Sequence, residues 1–193
     1  MMRILVGCEE SQVVTKAFRD KGHEAYSCDL VETRGNPEWH IKGDIMDNLE
    51  GWDLIILHPS CTEMAVSGNR WYGSGMEYNY KRIQAVEWTT NLWYKAIGLC
   101  DKVAMENPVS VIFPALGVKP QYIQPWMFGH GETKKTGLAL HRLPELKPTN
   151  IVDGREQRVW KMAPGPNRKR DRSVTYAGIA EAMAEQWGCD EQN

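Results

Sequence analysis

Short apolar runs that alternate with helical segments are the feature that most constrains how this chain can fold. Arg3–Gly7, Leu54–Leu57 and Val103–Pro108 each have the composition of a strand that is buried on both faces. Residues 11–21 and 77–99 lie between these strands and carry apolar side chains at helical spacing. This alternation predicts an α/β fold, in which helices cover both faces of a doubly wound, mostly parallel sheet.

The remaining segments predict further elements from less regular patterns. Residues 23–29 alternate in polarity, as a second strand would, and residues 30–43 have the composition of a loop. Three elements follow later in the chain: a short strand at 138–140, a proline-bounded loop at 143–148 and a C-terminal helix at 175–187. The first half of the chain therefore carries the most regular part of the predicted sheet.

The composition argues against several classes of protein. No apolar run in the 193 residues is long enough to span a bilayer, and the N-terminus leads into a strand without the layout of a signal peptide. The five cysteines are never spaced as Cys-x-x-Cys, so neither a disulfide framework nor a structural zinc site is expected. Nor do the remaining candidate ligands have metal-site spacing: His58, Cys61, His130 and His141. We therefore expect a cytoplasmic protein without a bound metal or a membrane partner.

Charge is distributed unevenly along the chain. The net charge of −2 provides no overall basic field that would attract nucleic acid. Four cations are nonetheless clustered near the C-terminus: Arg168, Lys169, Arg170 and Arg172. Such a run is either a solvated loop or a site that holds the phosphates of a nucleic acid. The eight tryptophans leave the same choice open, because their rings serve core packing or base stacking.

Distinctive polar side chains end three of the predicted strands. They are Asp29, the segment His58-Pro-Ser-Cys61, and Glu106-Asn107. Since the carboxyl ends of parallel strands meet at one edge of a sheet, we expect these side chains to lie together. A thiol beside a carboxyl and an amide suits covalent attack assisted by a proton donor. The alternatives are that Cys61 is a small buried core residue and that Glu106 serves a turn.

Two acids indicate a nucleoside ligand. Asp29 ends the second strand, where an acid is the usual partner of a ribose diol in nucleotide-cofactor folds. Asp44 follows Gly43 just before the central strand, where it could accept a hydrogen bond from an adenine amino group. Ser11, in the turn after the first strand, could cap the following helix. These positions predict a cofactor cleft at the same edge of the sheet.

The arrangement resembles the DNA cytosine-5 methyltransferase family, and in particular its short phage and prophage members. Residues 59–62 (Pro-Ser-Cys-Thr) stand where the family carries Pro-Pro-Cys-Gln, and residues 106–108 (Glu-Asn-Pro) stand where it carries Glu-Asn-Val. Residues 128–136 are similar to its Tyr-Gly-x-Pro-Gln-x-Arg-x-Arg motif, and residues 175–187 fall at its last motif. The resemblance implies one domain with a Rossmann-like methyltransferase fold over residues 1–193.

The resemblance also implies a specific reaction. Cys61 would add as a thiolate to C6 of a pyrimidine, and Glu106 would protonate or hydrogen-bond N3. Asn107 would hold the loop that carries Cys61, and Lys134 would stand as a cation at one of the arginine positions. The expected activity is S-adenosylmethionine-dependent C5-methylation of a pyrimidine, with cytosine in DNA ranked first.

The expected cofactor, S-adenosylmethionine, would lie against residues from several strand ends. The resemblance places Asp29 at the cofactor ribose and Asp44 near its adenine. It also places six further residues beside the cofactor: Cys8, Ser11, Gln12, Leu30, Ile45 and His58. The turn at residues 7–12 lacks the family's glycines, however, and it carries two glutamates that would repel a carboxylate.

Two further departures concern the substrate. Thr136 stands where the family has an arginine that contacts the base, and a hydroxyl is a weaker electrophilic aid than a guanidinium. Residues 141–170 are a short insert in place of a large target-recognition region. The substrate is then DNA or a pyrimidine nucleotide. The alternatives are a nucleotide or modified-base enzyme with a different donor, and a catalytically degenerate nucleic-acid-binding protein.

Overall fold

A computed structural model describes residues 1–189, apart from the side chain of Lys169. In this part of the chain, seven strands form a single sheet in the order β3-β2-β1-β4-β5-β7-β6. The strands are β1 (Arg3–Gly7), β2 (Glu24–Asp29), β3 (His40–Lys42), β4 (Leu54–Leu57), β5 (Val103–Pro108), β6 (Gln121–Ile123) and β7 (Thr136–His141). The first five strands are parallel to one another, and β7 runs antiparallel to both β5 and β6.

Helices of very different length lie between the strands and after the last strand, β7. They are α1 (Val13–Asp20), α2 (Asn69–Tyr72), α3 (Asn79–Leu99), α4 (Ile112–Ala115), α5 (Arg158–Lys161), α6 (Arg168–Ser173) and α7 (Ala177–Trp187). Short 3₁₀ turns lie at Pro37–Trp39, Ile45–Asp47, Val66–Gly68 and Pro125–Met127. No helix within residues 1–189 is both long and apolar enough to cross a membrane.

The sheet is covered by helices on both faces. Side chains alternate along β1, so Ile4 contributes to the core on one face and Leu5 to the core on the other. The first core includes Phe18 of α1 and Trp187 of α7, and the second includes Trp93 of α3. The predicted fold class, an α/β Rossmann-like fold with a doubly wound, mostly parallel sheet, is confirmed.

The direction in which the strands are added reverses at the centre of the sheet. From β1 the chain builds outward through β2 and β3, and it then returns to place β4 on the other side of β1. The backbone N–H of His58 donates to the carbonyl of Gly7 at 2.9 Å, which joins the ends of the two central strands. A crevice beyond such a reversal is where open α/β sheets bind their ligands.

Pairing between strands accounts for the two elements that the sequence pattern did not predict correctly. β3 lies inside residues 30–43, which we expected to be a loop, and β7 is longer than the predicted 138–140. β3 is an edge strand of three residues that pairs with β2 alone, so it needs no apolar run. The bounds of β1, β4 and β5 match the prediction because these strands are buried on both faces.

Candidate active site

Cys61 lies four residues beyond the end of β4, at the start of a turn. Its carbonyl accepts hydrogen bonds from the backbone N–H groups of Met64 (3.2 Å) and Ala65 (2.9 Å). Its thiol is half-buried. Burial is the main cause that raises the pKa of this thiol, and the charge of Glu106 adds to the effect. Cys61 is therefore a protonated thiol at rest.

Two cations act against this increase in the pKa of Cys61 without reversing it. They are Lys134, which precedes β7, and Arg172 of α6. The Lys134 ammonium donates to the carbonyl of Val174 at 3.3 Å, whereas Arg172 has no hydrogen-bond or ion-pair partner among the described residues. Arg172 was predicted as a phosphate ligand, and its positive charge also acts to lower the pKa of the Cys61 thiol.

A buried arginine holds the loop that follows Cys61. Arg82, on α3, is 9% exposed and donates from Nε to the carbonyl of Glu63 at 2.7 Å. Its two terminal nitrogens donate to Asn69 Oδ1 (2.8 Å) and to the carbonyl of Ala65 (3.2 Å). Sequence reasoning missed this residue, although an arginine among the apolar positions of a long helix is a signal that it has buried acceptors.

Asn107 lies beneath the same loop from the opposite side. The side chain is 1% exposed, and Nδ2 donates to the carbonyl of Pro59 at 3.2 Å. The contact joins the end of β5 to the segment that carries Cys61. The structure thus places Asn107 where the predicted loop-holding role requires it.

His58 and Glu106 form a buried pair at the ends of β4 and β5. His58 Nδ1 lies 2.9 Å from Glu106 Oε2, and the Thr175 hydroxyl donates to the same oxygen at 3.3 Å. His58 Nε2 is buried and has no partner in the described chain. His58, predicted beside the cofactor, is instead occupied with the proposed catalytic carboxyl.

Both members of the pair have shifted pKa values. Burial alone would raise the pKa of Glu106, but the hydrogen bond from His58 and the charge of Lys134 lower it to about 2. Burial alone would lower the pKa of His58, but its hydrogen bond to Glu106 and the charges of Glu106 and Glu9 raise it. The contact between the two side chains therefore favours an imidazolium beside a carboxylate.

A cavity of about 10 Å³ adjoins this pair and has room for about one water molecule. Its lining comprises Glu106, Lys134, Thr136, Thr175, Tyr176 and Ile179. Thr136 is 3% exposed, and its hydroxyl donates to the carbonyl of Lys134 at 3.0 Å. Because that hydroxyl already donates to its own backbone segment, it is not free to donate to a ligand.

The turn after β1 differs from what the sequence suggested. Ser11 does not cap α1, and the expectation that it would was wrong. The buried carboxylate of Glu9 accepts instead from the backbone N–H groups of Val14 (2.7 Å) and Thr15 (3.2 Å), and from the Thr15 hydroxyl (2.7 Å). Burial raises the pKa of Glu9. Glu9, one of the two glutamates expected to repel a ligand carboxylate, therefore points into the protein interior.

The same turn uses left-handed backbone without glycine. Cys8 has φ of 59° and Gln12 has φ of 58°, and such conformations cost about 1 kcal/mol each for residues with a Cβ. The Gln12 amide bonds Ser27 Oγ and the Asn36 backbone at 2.7–3.0 Å, and its side chain is buried. Gln12, predicted at the cofactor, is thus committed to holding the turn against the segment that follows β2.

The ends of β2 and β3 form an acidic cleft beside Cys8. Asp29 accepts at Oδ1 from the N–H of Val31 (3.2 Å), and Asp44 accepts at Oδ1 from the N–H of Met46 (2.9 Å). The second oxygen of each carboxylate has no protein partner within residues 1–189. After burial, which is the largest cause, both charges raise the pKa of Cys8, to about 12. Both carboxylates therefore lie close enough to Cys8 to affect the pKa of its thiol.

This cleft suits the nucleoside half of S-adenosylmethionine. Free carboxylate oxygens can accept from a ribose diol and from an adenine amino group, and Leu30, 70% exposed, offers an apolar surface to a purine. Ile45 is buried, and its Cδ1 lies 2.7 Å from where a Cβ on Gly7 would stand. Ile45 therefore packs under the turn rather than against a ligand. For the methionine half, the first N–H groups of α1 are already bonded to Glu9.

The cluster of cations at residues 168–172 lies on the short helix α6. The sequence had left open whether this cluster is a solvated loop or a phosphate-binding site. Arg168 donates from Nε to the carbonyl of Met162 at 2.8 Å, and Arg170 pairs with the neighbouring Asp171 at 3.3 Å. The side chain of Lys169 lies outside the described structure. Within residues 1–189, no cluster of three or more histidine, cysteine or acidic side chains could hold a metal ion.

Solved structures that resemble this chain do so at low sequence identity. A prophage-encoded protein from E. coli, assigned as a DNA modification methyltransferase, is 9% identical, with a TM-score of 0.43 over 85% of this chain and 56% of its own. The Dnmt2 methyltransferase of S. pombe is 12% identical, with a TM-score of 0.43 over 83% of this chain and 53% of its own. The chain thus spans about half the length of either structure. No protein-family profile and no curated protein matches it.

Proposed function

We propose that the protein is an S-adenosylmethionine-dependent methyltransferase that modifies C5 of a pyrimidine, with cytosine in DNA as the first candidate. The observation that carries this proposal is the placement of Cys61 and Glu106 at the ends of neighbouring strands. Asn107 bonds the loop of the thiol, and Lys134 is near both groups. A nucleophile, a ring-binding carboxyl and a cation are the groups that addition to a pyrimidine needs.

The chain's own groups would act in a defined order. Cys61 releases its proton to solvent, helped by the positive charges of Lys134 and Arg172, and its sulfur bonds to C6 of the ring. Glu106 accepts a hydrogen bond from a proton at N3, so the ring is held with N3 protonated while charge develops on it. When bound, S-adenosylmethionine supplies the methyl group to C5. The C5 proton is then lost to solvent, its electron pair restores the C5–C6 double bond, and Cys61 leaves C6 as a thiolate.

Asp29 and Asp44 would hold the cofactor at the end of the sheet next to Cys8. Their free oxygens could accept hydrogen bonds from the ribose and from the adenine amino group, and Leu30 could contact the purine. Backbone of the turn at Cys8 and Ser11 would border the sulfonium side. In this proposal residues 1–193 act as one methyltransferase-like domain, and residues 141–170 stand in for a target-recognition region, with Arg168, Lys169 and Arg170 on phosphates.

Replacement of the nucleophile tests the proposal. We expect Cys61→Ser to lose methyl transfer to cytosine-containing DNA by at least about 10³-fold, while calorimetry shows unchanged affinity for S-adenosylmethionine. Cys189→Ser is the matched control, because that thiol is exposed and lies at the end of α7. Turnover retained in Cys61→Ser would falsify the covalent mechanism.

A second candidate function rests on Glu9. Because its carboxylate occupies the N-terminus of α1, a donor without a carboxylate would meet no competition there. The alternative is therefore a pyrimidine nucleotide or modified-base enzyme that keeps Cys61 and Glu106 and uses another electrophile. Absence of S-adenosylmethionine binding at millimolar concentration in calorimetry, with labelling of Cys61 by a pyrimidine substrate, would favour this alternative.

A further inference from the structure

The contacts of Glu106 are divided unequally between its two oxygens. Oε2 is hydrogen-bonded to both His58 Nδ1 and the Thr175 hydroxyl, whereas Oε1 has no hydrogen bond to a protein group within residues 1–189. Oε1 is therefore the oxygen left for a ligand. A carboxylate whose second oxygen is held by an imidazolium can accept a hydrogen bond, but it has no proton to donate.

We propose that His58 determines specificity by making Glu106 an obligate hydrogen-bond acceptor at Oε1, so that the site selects a pyrimidine ring that carries N3–H. A uracil-type ring has that proton and binds as it stands. A cytosine ring has a lone pair at N3 and binds only after N3 takes a proton from solvent. His58 touches no substrate and acts through Glu106, so it is a positioning residue. This inference rests on the proposed function, because it concerns the base held by the same carboxyl, and it ranks a uracil-type ring above the cytosine that was the first candidate there.

The charged groups around the pair support this assignment. The surroundings of His58 include the carboxylates of Glu106 on β5 and Glu9 in the turn after β1, which favour the imidazolium, and Lys134, which opposes it. The surroundings of Glu106 include His58 and Lys134, which together lower its pKa to about 2 although burial acts in the opposite direction. Protonating Glu106 would leave an imidazolium and an ammonium without their shared counter-charge, which is costly in a buried site.

The two bases differ in where electrons go when Cys61 adds. In a uracil-type ring, the sulfur–C6 bond forms and the electron pair of the C5–C6 double bond moves through C4 onto O4. The proton stays on N3 and remains hydrogen-bonded to Oε1. In a cytosine ring the pair moves toward N3, which must carry a proton acquired from solvent, because Glu106 has none to give. Transfer to cytosine is thereby linked to the uptake of one proton, and transfer to uracil is not.

Proton uptake can be measured without turnover. Two single-stranded oligodeoxynucleotides that differ only in one target base, deoxyuridine or deoxycytidine, are titrated into the protein in buffers of different ionisation enthalpy. We expect the cytosine oligonucleotide to take up one proton more than the uracil oligonucleotide, and its relative affinity to fall by about tenfold per pH unit above neutrality. Equal affinities with no difference in proton uptake, or no binding of either oligonucleotide, would overturn the inference.

His58→Asn is the informative variant, because an asparagine amide keeps a donor near Oε2 and removes the positive charge. In this variant we expect the preference for uracil to shrink and its dependence on pH to weaken. His141→Asn, at the end of β7, is the matched control and should behave as the wild type. An unchanged preference in His58→Asn contradicts the assignment.

A spectroscopic measurement keeps this inference separate from the proposed function. With ¹⁵N-labelled histidine, we expect the His58 ring to be charged at pH 7 and to lose that charge in Glu106→Gln. A neutral His58 in the wild type overturns the inference whatever the activity. A charged His58 with differential proton uptake but no methyl transfer to either base supports the inference and rejects the proposed donor chemistry.

Discussion

At the scale of single residues, Glu9 shows how a buried acid can replace both a helix cap and a glycine-rich turn. Its carboxylate satisfies two of the first N–H groups of α1 and the hydroxyl of Thr15, and it is 5% exposed. Backbone N–H groups at a helix N-terminus have no partner within the helix, so they must find one elsewhere. In this chain that partner is Glu9, which lies two residues before Ser11, the cap that the sequence predicted.

Removing this cap should destabilise the protein more than removing the hydroxyl that sequence reasoning favoured. We expect Glu9→Ala to lower the free energy of unfolding by about 1–3 kcal/mol, because three buried donors lose their acceptor. Ser11→Ala should change it by less than about 0.5 kcal/mol, since the Ser11 side chain makes no cap. Urea titrations of the two variants test this, and equal losses would show that Glu9 does not support the helix.

At the scale of elements, α3 holds the loop that carries Cys61, the proposed nucleophile. Arg82 ties three acceptors of residues 63–69 to the helix, and Asn107 ties Pro59 to β5. The loop is therefore held from two elements that are adjacent to β4 in space. Positioning of a reacting group by rigid neighbours is a large part of what a folded site contributes to a reaction.

Loss of the Arg82 contacts should loosen this loop before it unfolds the sheet. We expect Arg82→Met to speed backbone hydrogen exchange in residues 61–69, to lower methyl transfer and to cost about 1–3 kcal/mol of stability. Lys81→Met is the control, because Lys81 lies next in sequence and contacts only aromatic rings on the surface. Unchanged exchange in residues 61–69 of Arg82→Met would remove the basis for this role.

At the scale of the whole molecule, charge is segregated. Residues 141–173 contain nine cations and four acids, although the complete chain has a net charge of −2. This basic part includes α5 and α6 and reaches the active site through Arg172. A positive surface that ends near Cys61, the proposed nucleophile, can guide a polyanion to it, although the protein as a whole would repel one.

DNA binding should therefore depend on salt and on this basic part. We expect Arg170→Gln to reduce the slope of log affinity against log salt concentration by about 1, because one phosphate contact is lost. Lys119→Gln, exposed between α4 and β6, should leave the slope unchanged. Equal slopes for both variants and the wild type would point to a free nucleotide as substrate.

Local pattern sufficed for the buried strands and for the candidate nucleophile. β1, β4 and β5 are continuous apolar runs because both faces of each are covered, and this signature needs no knowledge of neighbours. Because the carboxyl ends of parallel strands meet at one edge of the sheet, the sequence also predicted that Cys61, Glu106 and Asn107 lie at that edge.

Tertiary structure decided what each of these groups can do. The His58–Glu106 contact joins residues 48 positions apart, and it exists only because β4 pairs with β5. The approach of Arg172 to Cys61 and the capping of α1 by Glu9 likewise depend on packing between segments. Sequence determined where a thiol and a carboxyl would lie, because strand burial is a local property. Only the fold determined their protonation, because charge in a buried site depends on every group packed around it.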